Sequence, residues 1–498
     1  MVRRILGTLA LLALALGVMG AVTLTPKLKL YRGWVQGQSG WGAGMNANLD
    51  RIDAVSVRAV LEGEDVQAAI DSTPDYGTLR IGEGSFMPPD TNGYIIDHPI
   101  TIEGSGRPYI YENIGPPKTE WTHGTRFQFY NASATDSNGA KNSTLFRIVG
   151  PVVNVTLKNF GIENHLGKPT DSTGSGDGIR INAAGGYVGH INIESVAVLF
   201  AGRNGIRMVG QSFSIPAADQ STFEHIQIGG SGRDGIYAYY PVSCLFQDVL
   251  LVGNRNCGIY AYGASAVQFR ECLFNGNGSS FGVEGGWPYY HYAQLYLQGS
   301  MRFVIDACDF EVWNTKTIPR AIGLEAARGG SITNCSTYNP TYPTPGVESE
   351  FVSMLSQVSG VYVAGNHVGE CTHYVQMLSG HSNRGNIIMP PLVEPSDVDG
   401  GSLCRITTSA ETDTATIVGV LASSGGNFVF QMLTDASAYN TDKIGPQFAA
   451  GIQFPVVSDT AAFTNPAKQR GTLFYVARDS CFYYWTGAKF RKLQPVLP

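Results

Sequence analysis

The sequence predicts an all-β chain, a right-handed parallel β-helix, on three observations. A six-residue apolar pattern recurs along the middle of the chain. Its period varies but does not fall below 23 residues. Gly accounts for 61 of 498 residues and charged residues for only 15%, against usual shares of about 7% and 25%. Little charge with much Gly, Asn, Ser and Thr is the composition of short strands and many turns.

The repeat reads apolar, any, any, apolar, any, and usually apolar. It begins with Leu157-Lys-Asn-Phe160-Gly-Ile162, Ile193-Glu-Ser-Val196-Ala-Val198 and Phe223-Glu-His-Ile226-Gln-Ile228. It continues through Phe246-Gln-Asp-Val249-Leu-Leu251, Phe269-Arg-Glu-Cys272-Leu-Phe274 and Ile305-Asp-Ala-Cys308-Asp-Phe310. Weaker copies are Ile332-Thr-Asn-Cys335-Ser-Thr337 and Val363-Ala-Gly-Asn366-His-Val368. The fourth position advances by 36, 30, 23, 23, 36, 27 and 31 residues. A floor of 23 residues fits a coil of three short strands, and longer steps are loops added to that coil. Alternation within each copy marks strands buried on one face. The three-residue step between the first two apolar positions requires one bend residue. A second pattern follows several copies: Gly178-Ile179, Gly205-Ile206, Gly235-Ile236, Gly258-Ile259, then Ala293-Gln-Leu295 and Ala321-Ile322. Parallel strands joined by such crossovers take the right-handed sense.

Composition excludes other classes. Hydrophobic residues make up 43% of the chain, enough for a large core, so the chain is not disordered as a whole. Long helical bundles are excluded because Lys, Glu and Ala do not dominate. With 34 basic and 40 acidic side chains the net charge is −6, which argues against a broad nucleic-acid surface and that class of partner. Of the eight cysteines, Cys272, Cys308 and Cys335 share one inward position in three consecutive coils. They read as reduced, stacked core thiols. No metal spacing, phosphate loop or nucleophile elbow is present, so no cofactor is expected.

The domain plan has three parts: an anchoring region at 1–58, a cap helix with the β-helix at 59–392, and small β modules at 393–498. At the start, Arg3 and Arg4 precede an apolar run, Ile5 to Val22, closed by Gly20 and Ala21. That layout suits a secretory signal peptide. It equally suits a short membrane span or a helix buried in a larger assembly. Further on, Glu64 to Asp71 reads as a short amphipathic helix, and Thr78-Leu-Arg-Ile81 and Ile100-Thr-Ile102 as strands.

These words, with Pro99-Ile-Thr-Ile-Glu-Gly-Ser-Gly106, resemble the opening of the pectate-lyase-like superfamily. The resemblance covers about residues 60 to 390 and implies a fold, with a helix capping the first coil. It carries no lyase site over, because the family's calcium-binding aspartates and arginine base have no matching positions here. Two flanking segments are similar to bacteriophage tail fibre and tailspike proteins. One is Trp41-Gly-Ala-Gly-Met-Asn-Ala-Asn-Leu-Asp-Arg-Ile-Asp53; the other is Arg470-Gly-Thr-Leu-Phe-Tyr-Val476 with Phe482-Tyr-Tyr-Trp-Thr-Gly487. The tailspike resemblance implies a homotrimer on a virion tail that binds host surface polysaccharide. It also implies attachment to phage tail or baseplate proteins through the N-terminus. The signal-like segment departs from that pattern. A secreted polysaccharide lyase or hydrolase and a purely structural spike remain the alternatives.

Two sets of carboxylates are candidates for glycan cleavage. Asp306 and Asp309 flank one bend on the outer face, and Glu271 sits at the bend of the preceding coil. Glycoside hydrolysis needs two carboxyl groups about 5 to 9 Å apart. An acid followed one coil later by D-x-x-D is similar to the endorhamnosidase type of tailspike. The structural alternative is a pairing of Arg270 with Asp306. The second set is Glu194 and Glu224, at equal outward positions on adjacent coils with His225 beside them. Like charges in register raise one carboxyl pKa, which suits a general acid. Lys158, one coil earlier, is the group that would relieve them. For binding, the outward residues after each Gly-Ile are Arg180, Arg207, Tyr237, Tyr239, Tyr260, Tyr262 and Tyr296, with Trp287 in a nearby insertion. Flat rings with polar edges suit sugar faces, and arginine suits acidic groups. The same patch could serve as a subunit interface.

Overall fold

The computed structural model describes residues 58–106, 124–130, 142–164, 174–278, 293–311, 320–338, 350–368, 373–377, 383 and 386–389. Beyond these it describes strand backbone at 402–408, 415–417, 430–434, 456–457, 473–476, 481–485 and 490–493. Residues 5–22 and 41–53 lie outside the described residues.

The chain winds as a parallel β-helix. One coil contributes Thr222–Glu224, Gln227–Gly229 and Ile236–Tyr239. The next contributes Leu245–Gln247, Leu250–Val252 and Ile259–Tyr262. Each strand pairs in parallel with its counterpart one coil on, with Phe223 opposite Phe246 and Ile228 opposite Leu251. Three ladders result. The first two meet at the bend, and two eight-residue strands, Thr156–Glu163 and Asn192–Leu199, run through it. The third ladder holds twelve strands.

The bend residue expected from the repeat is Asn159, Ser195, His225, Asp248, Glu271, Ala307 and Asn334 in turn, all at φ between 50° and 62°. A left-handed conformation costs an L-residue about 1–2 kcal/mol. Each bend is held by the coil that follows. His225 N–H donates to Gln247 O, Asp248 N–H to Arg270 O, and Glu271 N–H to Asp306 O, each at 3.1 Å. Other corners repeat the device. Ser243, Ala266 and Arg302 have φ of 52–54° and donate to Ser265, Met301 and Arg328.

The Gly of each Gly-Ile word is set by close approach. A Cβ on Gly205 would lie 2.3 Å from Ile228 Cγ2 and 2.8 Å from Gly235 O. Only a residue without a side chain lets consecutive coils meet there.

Inside the coils, like side chains stack. Phe223, Phe246 and Phe269 have centroids 4.8 and 5.1 Å apart, and Phe274 stacks on Phe310 at 4.8 Å. Cys272, Cys308 and Cys335 are buried and free, as expected from the repeat. Burial pushes the Cys272 thiol well above its ordinary pKa. A polar row runs at the corner between the second and third ladders: Asn254 Nδ2 donates to Asn277 Oδ1 at 2.7 Å, and Asn277 Nδ2 to Gln294 Oε1 at 2.6 Å.

The cap is the helix Val66–Ser72, begun by Asp65, whose side chain accepts from Ala68 N at 3.0 Å. Val66, Ala69 and Ile70 are buried. Gln67 meets the edge of the third ladder at Tyr94–Ile96: Ile95 N–H donates to its Oε1 at 2.8 Å, and its Nε2 donates to Ile95 O at 3.1 Å. These bonds satisfy backbone groups that an open sheet edge would leave bare. At the other end, parallel pairing continues past residue 392, through Ser402–Thr408 and Phe430–Thr434 in the third ladder. Leu473–Val476, Cys481–Trp485 and Phe490–Leu493 form antiparallel pairs in a separate sheet.

Candidate functional site

Register places the predicted binding residues on the outer face of the third ladder. Arg180 is opposite Arg207, Arg207 opposite Tyr237, Tyr237 opposite Tyr260, and Tyr260 opposite Tyr296. The Arg207 guanidinium lies 5.7 Å from the Tyr237 ring centroid. Tyr237 and Tyr260 stack at 5.2 Å, Tyr260 and Tyr296 at 5.7 Å. A second row runs beside the first. Tyr239 and Tyr262 are 4.5 Å apart and 7° from parallel. Tyr240 meets both edge-on, at 4.8 and 5.6 Å. Phe213, 45% exposed, lies 5.1 Å from Tyr240.

Exposure divides this face, which the sequence pattern did not anticipate. Tyr237, Tyr239, Tyr240 and Tyr262 are partly exposed. Tyr260 is 9% exposed and Tyr296 is fully buried, in an apolar cluster with Cys257, Ala293 and Leu355. The Tyr260 hydroxyl donates to Gln298 Oε1 at 2.5 Å, and the Tyr296 hydroxyl donates to Glu325. Burial raises both phenol pKa values, so both remain donors at neutral pH. They continue the row in register but present no open ring. Trp287 lies outside the described residues.

Arginines at the start of this face form a network larger than the two expected. Arg147 extends the row, opposite Arg180. Arg203 and Arg233 form a parallel row in the preceding turn: Arg203 N–H donates to Gly176 O at 2.7 Å, and Arg233 N–H to Arg203 O at 2.6 Å. Between the rows Asp177 is fully buried. It accepts from Arg180 Nε at 2.7 Å and Asn204 Nδ2 at 2.9 Å, with Arg207 Nη1 at 3.9 Å. Asp234, two coils on in the same inner row, has its carboxyl pushed up to about 6 by burial, against the opposing pull of Arg233 and the Cys257 N–H. A signal for this network lay in Arg203-Asn-Gly-Ile-Arg207 and Arg233-Asp-Gly-Ile-Tyr237. Both carry arginine two residues before the Gly.

The carboxylates occupy the first two ladders and the bend between them. Glu194 is opposite Glu224, and Lys158 is opposite Glu194. Lys158 turns the other way, its Nζ 3.3 Å from Glu103. His225 at the bend is 3.7 Å from Asp248. Asp306 is opposite Arg270, yet its carboxylate is held by the following coil. It accepts from Thr333 Oγ1 at 2.7 Å and Asn334 Nδ2 at 2.9 Å. Asp309 accepts from Ser336 Oγ in the same coil. Glu271, exposed at its bend, has register with Ala307 through the backbone bond to Asp306. No group of three or more His, Cys, Asp or Glu among the described residues is arranged to hold a metal ion.

No family model matches the sequence, and no curated protein matches it. Solved structures with similar folds include PfbA, a surface adhesin of Streptococcus pneumoniae. It is 13% identical, with 74% of this chain and 90% of that one covered, at a TM-score of 0.47. DFA-IIIase from Arthrobacter chlorophenolicus A6, in complex with DFA-III, is 15% identical over 78% of this chain and 98% of that one, at 0.49. ORF18 of Geobacillus virus E2 is 13% identical over 93% and 90%, at 0.45. Similarity of this degree assigns no activity to the chain.

Proposed function

We propose that the chain is a receptor-binding tailspike of a bacteriophage virion, a homotrimer that recognises host surface polysaccharide. The observation that carries the binding part is the parallel, partly exposed stack of Tyr239 on Tyr262, bordered by Tyr240 and Phe213. The stacked rings cover each other's inner faces and offer their edges and hydroxyls, which suit the hydroxyl rims of pyranose rings. The words at 41–53 and 470–487 support the virion part of the reading, with residues 1–58 as the region that meets tail or baseplate proteins. Native mass spectrometry of the full chain, followed by polysaccharide binding, tests it. A trimer that binds an extracted bacterial surface polysaccharide, and loses at least tenfold in affinity in Tyr262→Ala, is expected. A monomer processed by about 20 residues would instead favour a secreted polysaccharide-degrading enzyme.

A depolymerase activity in the same protein is a second reading, favoured by one observation. Glu194 and Glu224 face each other in register while Lys158 is turned to Glu103. One of the two would act as acid and the other as base or nucleophile in a glycoside hydrolysis. Asp306 and Asp309 accept hydrogen bonds from the next coil, which suits a structural role for them. Reducing-end release from the bound polysaccharide, abolished in Glu194→Gln and in Glu224→Gln with binding retained, is the expected result. Loss of release only in Asp306→Asn or Asp309→Asn would move the chemistry to that bend.

A further inference from the structure

We propose that the arginine network beside the tyrosine face is an oxyanion-binding subsite, which takes a carboxylate, sulfate or phosphate group carried on a sugar. Two stacked rows converge there, Arg147, Arg180 and Arg207 on the strands and Arg203 and Arg233 in the turn. Among the described residues, the buried carboxylates beside these arginines are Asp177 and Asp234. Asp90, exposed, acts on Arg147 from the edge. The chain as a whole is acidic, with a net charge of −6, so this concentration of positive charge is local.

The hydrogen-bond inventory is also incomplete among the described residues. Arg180 is satisfied, by Asp177 and by Ser175 O at 3.1 Å. The Nε atoms of Arg147, Arg203 and Arg207 are buried and have no hydrogen-bond partner among the described residues. A buried N–H without an acceptor costs roughly 1–3 kcal/mol, and more on a charged group. Burial first, then the neighbouring like charges of Arg180 for Arg147 and of Arg207 for Arg203, disfavours the charged guanidinium at both positions. An oxyanion seated on the outer guanidinium nitrogens supplies the negative charge that these crowded like charges lack, and arginine forks match its geometry. Arg207 also lies over Tyr237, so the subsite joins the aromatic face. An acidic glycan as its natural occupant rests on the binding reading above; oxyanion binding itself does not.

The test uses the full-length protein and one sugar in four forms: glucose, glucuronate, glucose 6-sulfate and glucose 6-phosphate. Thermal melting is followed at matched ionic strength in chloride. At least one anionic form is expected to raise the melting temperature where glucose does not, and the form that does so identifies the anionic group. Arg203→Gln and Arg147→Gln are expected to weaken the response at least tenfold in ligand concentration. Arg302→Gln, an exposed arginine at another corner, is expected to keep it. Arg203→Lys retains the charge and removes the fork, so it gives the same answer if the Gln variant fails to fold. Equal responses to all four sugars, or an anion response that survives Arg203→Gln and Arg147→Gln, would overturn the subsite. If no anion binds but Tyr262→Ala still abolishes polysaccharide binding, the subsite falls and the glycan reading stands. If anions bind through Arg203 and no polysaccharide does, the reverse holds.

Discussion

Lys158 pairs with Glu103 on the coil before it, at 3.3 Å, and leaves Glu194 on the coil after it facing Glu224. Two carboxylates at equal positions on neighbouring parallel strands repel, and nothing in the outer row between Lys158 and Gln247 offsets them. Glu224→Gln is therefore expected to stabilise the fold by roughly 0.2–1 kcal/mol at pH 7. The gain should shrink in 1 M salt, where the Debye length is about 3 Å. Thermal melts of the two proteins at both salt levels measure it.

Gly205 and Gly329 give opposite expectations for added side chains. A Cβ at Gly205 meets the next coil at 2.3 Å, whereas at Gly329 nothing lies within 4 Å. Gly205→Ala is expected to cost about 1–3 kcal/mol through overpacking. Gly329 has φ 60°, a conformation that asparagine tolerates well. Gly329→Asn is expected to cost less than about 1 kcal/mol. Denaturant melts of both variants check the contrast.

Tyr262 and Tyr296 occupy outward positions of adjacent strands but have different surroundings. Tyr296→Phe removes the hydroxyl that donates to Glu325 and is expected to destabilise the fold by about 1–2 kcal/mol. Under the proposed binding role, polysaccharide affinity of this variant should stay within twofold of wild type. Tyr262→Ala should do the opposite, with affinity lost and most stability kept. Melting and binding measured on the same preparations separate the two roles.

Asp234 predicts a pH dependence. Its carboxyl moves from an ordinary value of 3.8 to about 6 in the fold because it is buried. Between those values the folded state holds a proton that the unfolded chain has released. Stability from this group is therefore present below about pH 4 and lost as pH rises through about 6, on the order of 2–3 kcal/mol at most. Asp234→Asn is expected to flatten that part of the stability profile, as read from urea midpoints between pH 4 and 7.

Much of the coil geometry was legible in the sequence because a stacked strand constrains every inward residue. Cys272, Cys308 and Cys335 announce one shared column, and the step from Ile305 to Cys308 announces one bend residue, found at Ala307 with φ 53°. What lies over an outward residue is a tertiary matter with no local pattern. Tyr237-Ala-Tyr239 and Tyr260-Ala-Tyr262 read alike, yet Tyr260 is nearly buried and Tyr262 is not. Arg203 escaped notice for a related reason. It sits in a turn, and its meaning comes from Arg233 one coil later and from Asp177 one coil earlier. Pairing beyond residue 392 was hidden because the six-residue pattern fades before the ladder ends.

The corners at Ser243, Ala266 and Arg302 close by donating a backbone N–H to the coil ahead, whatever side chain they carry. A loop inserted between two corners therefore leaves its neighbours' bonds intact, and lengthening it costs little in closure entropy. Insertions can thus reshape the outer surface while the coils beneath keep their register.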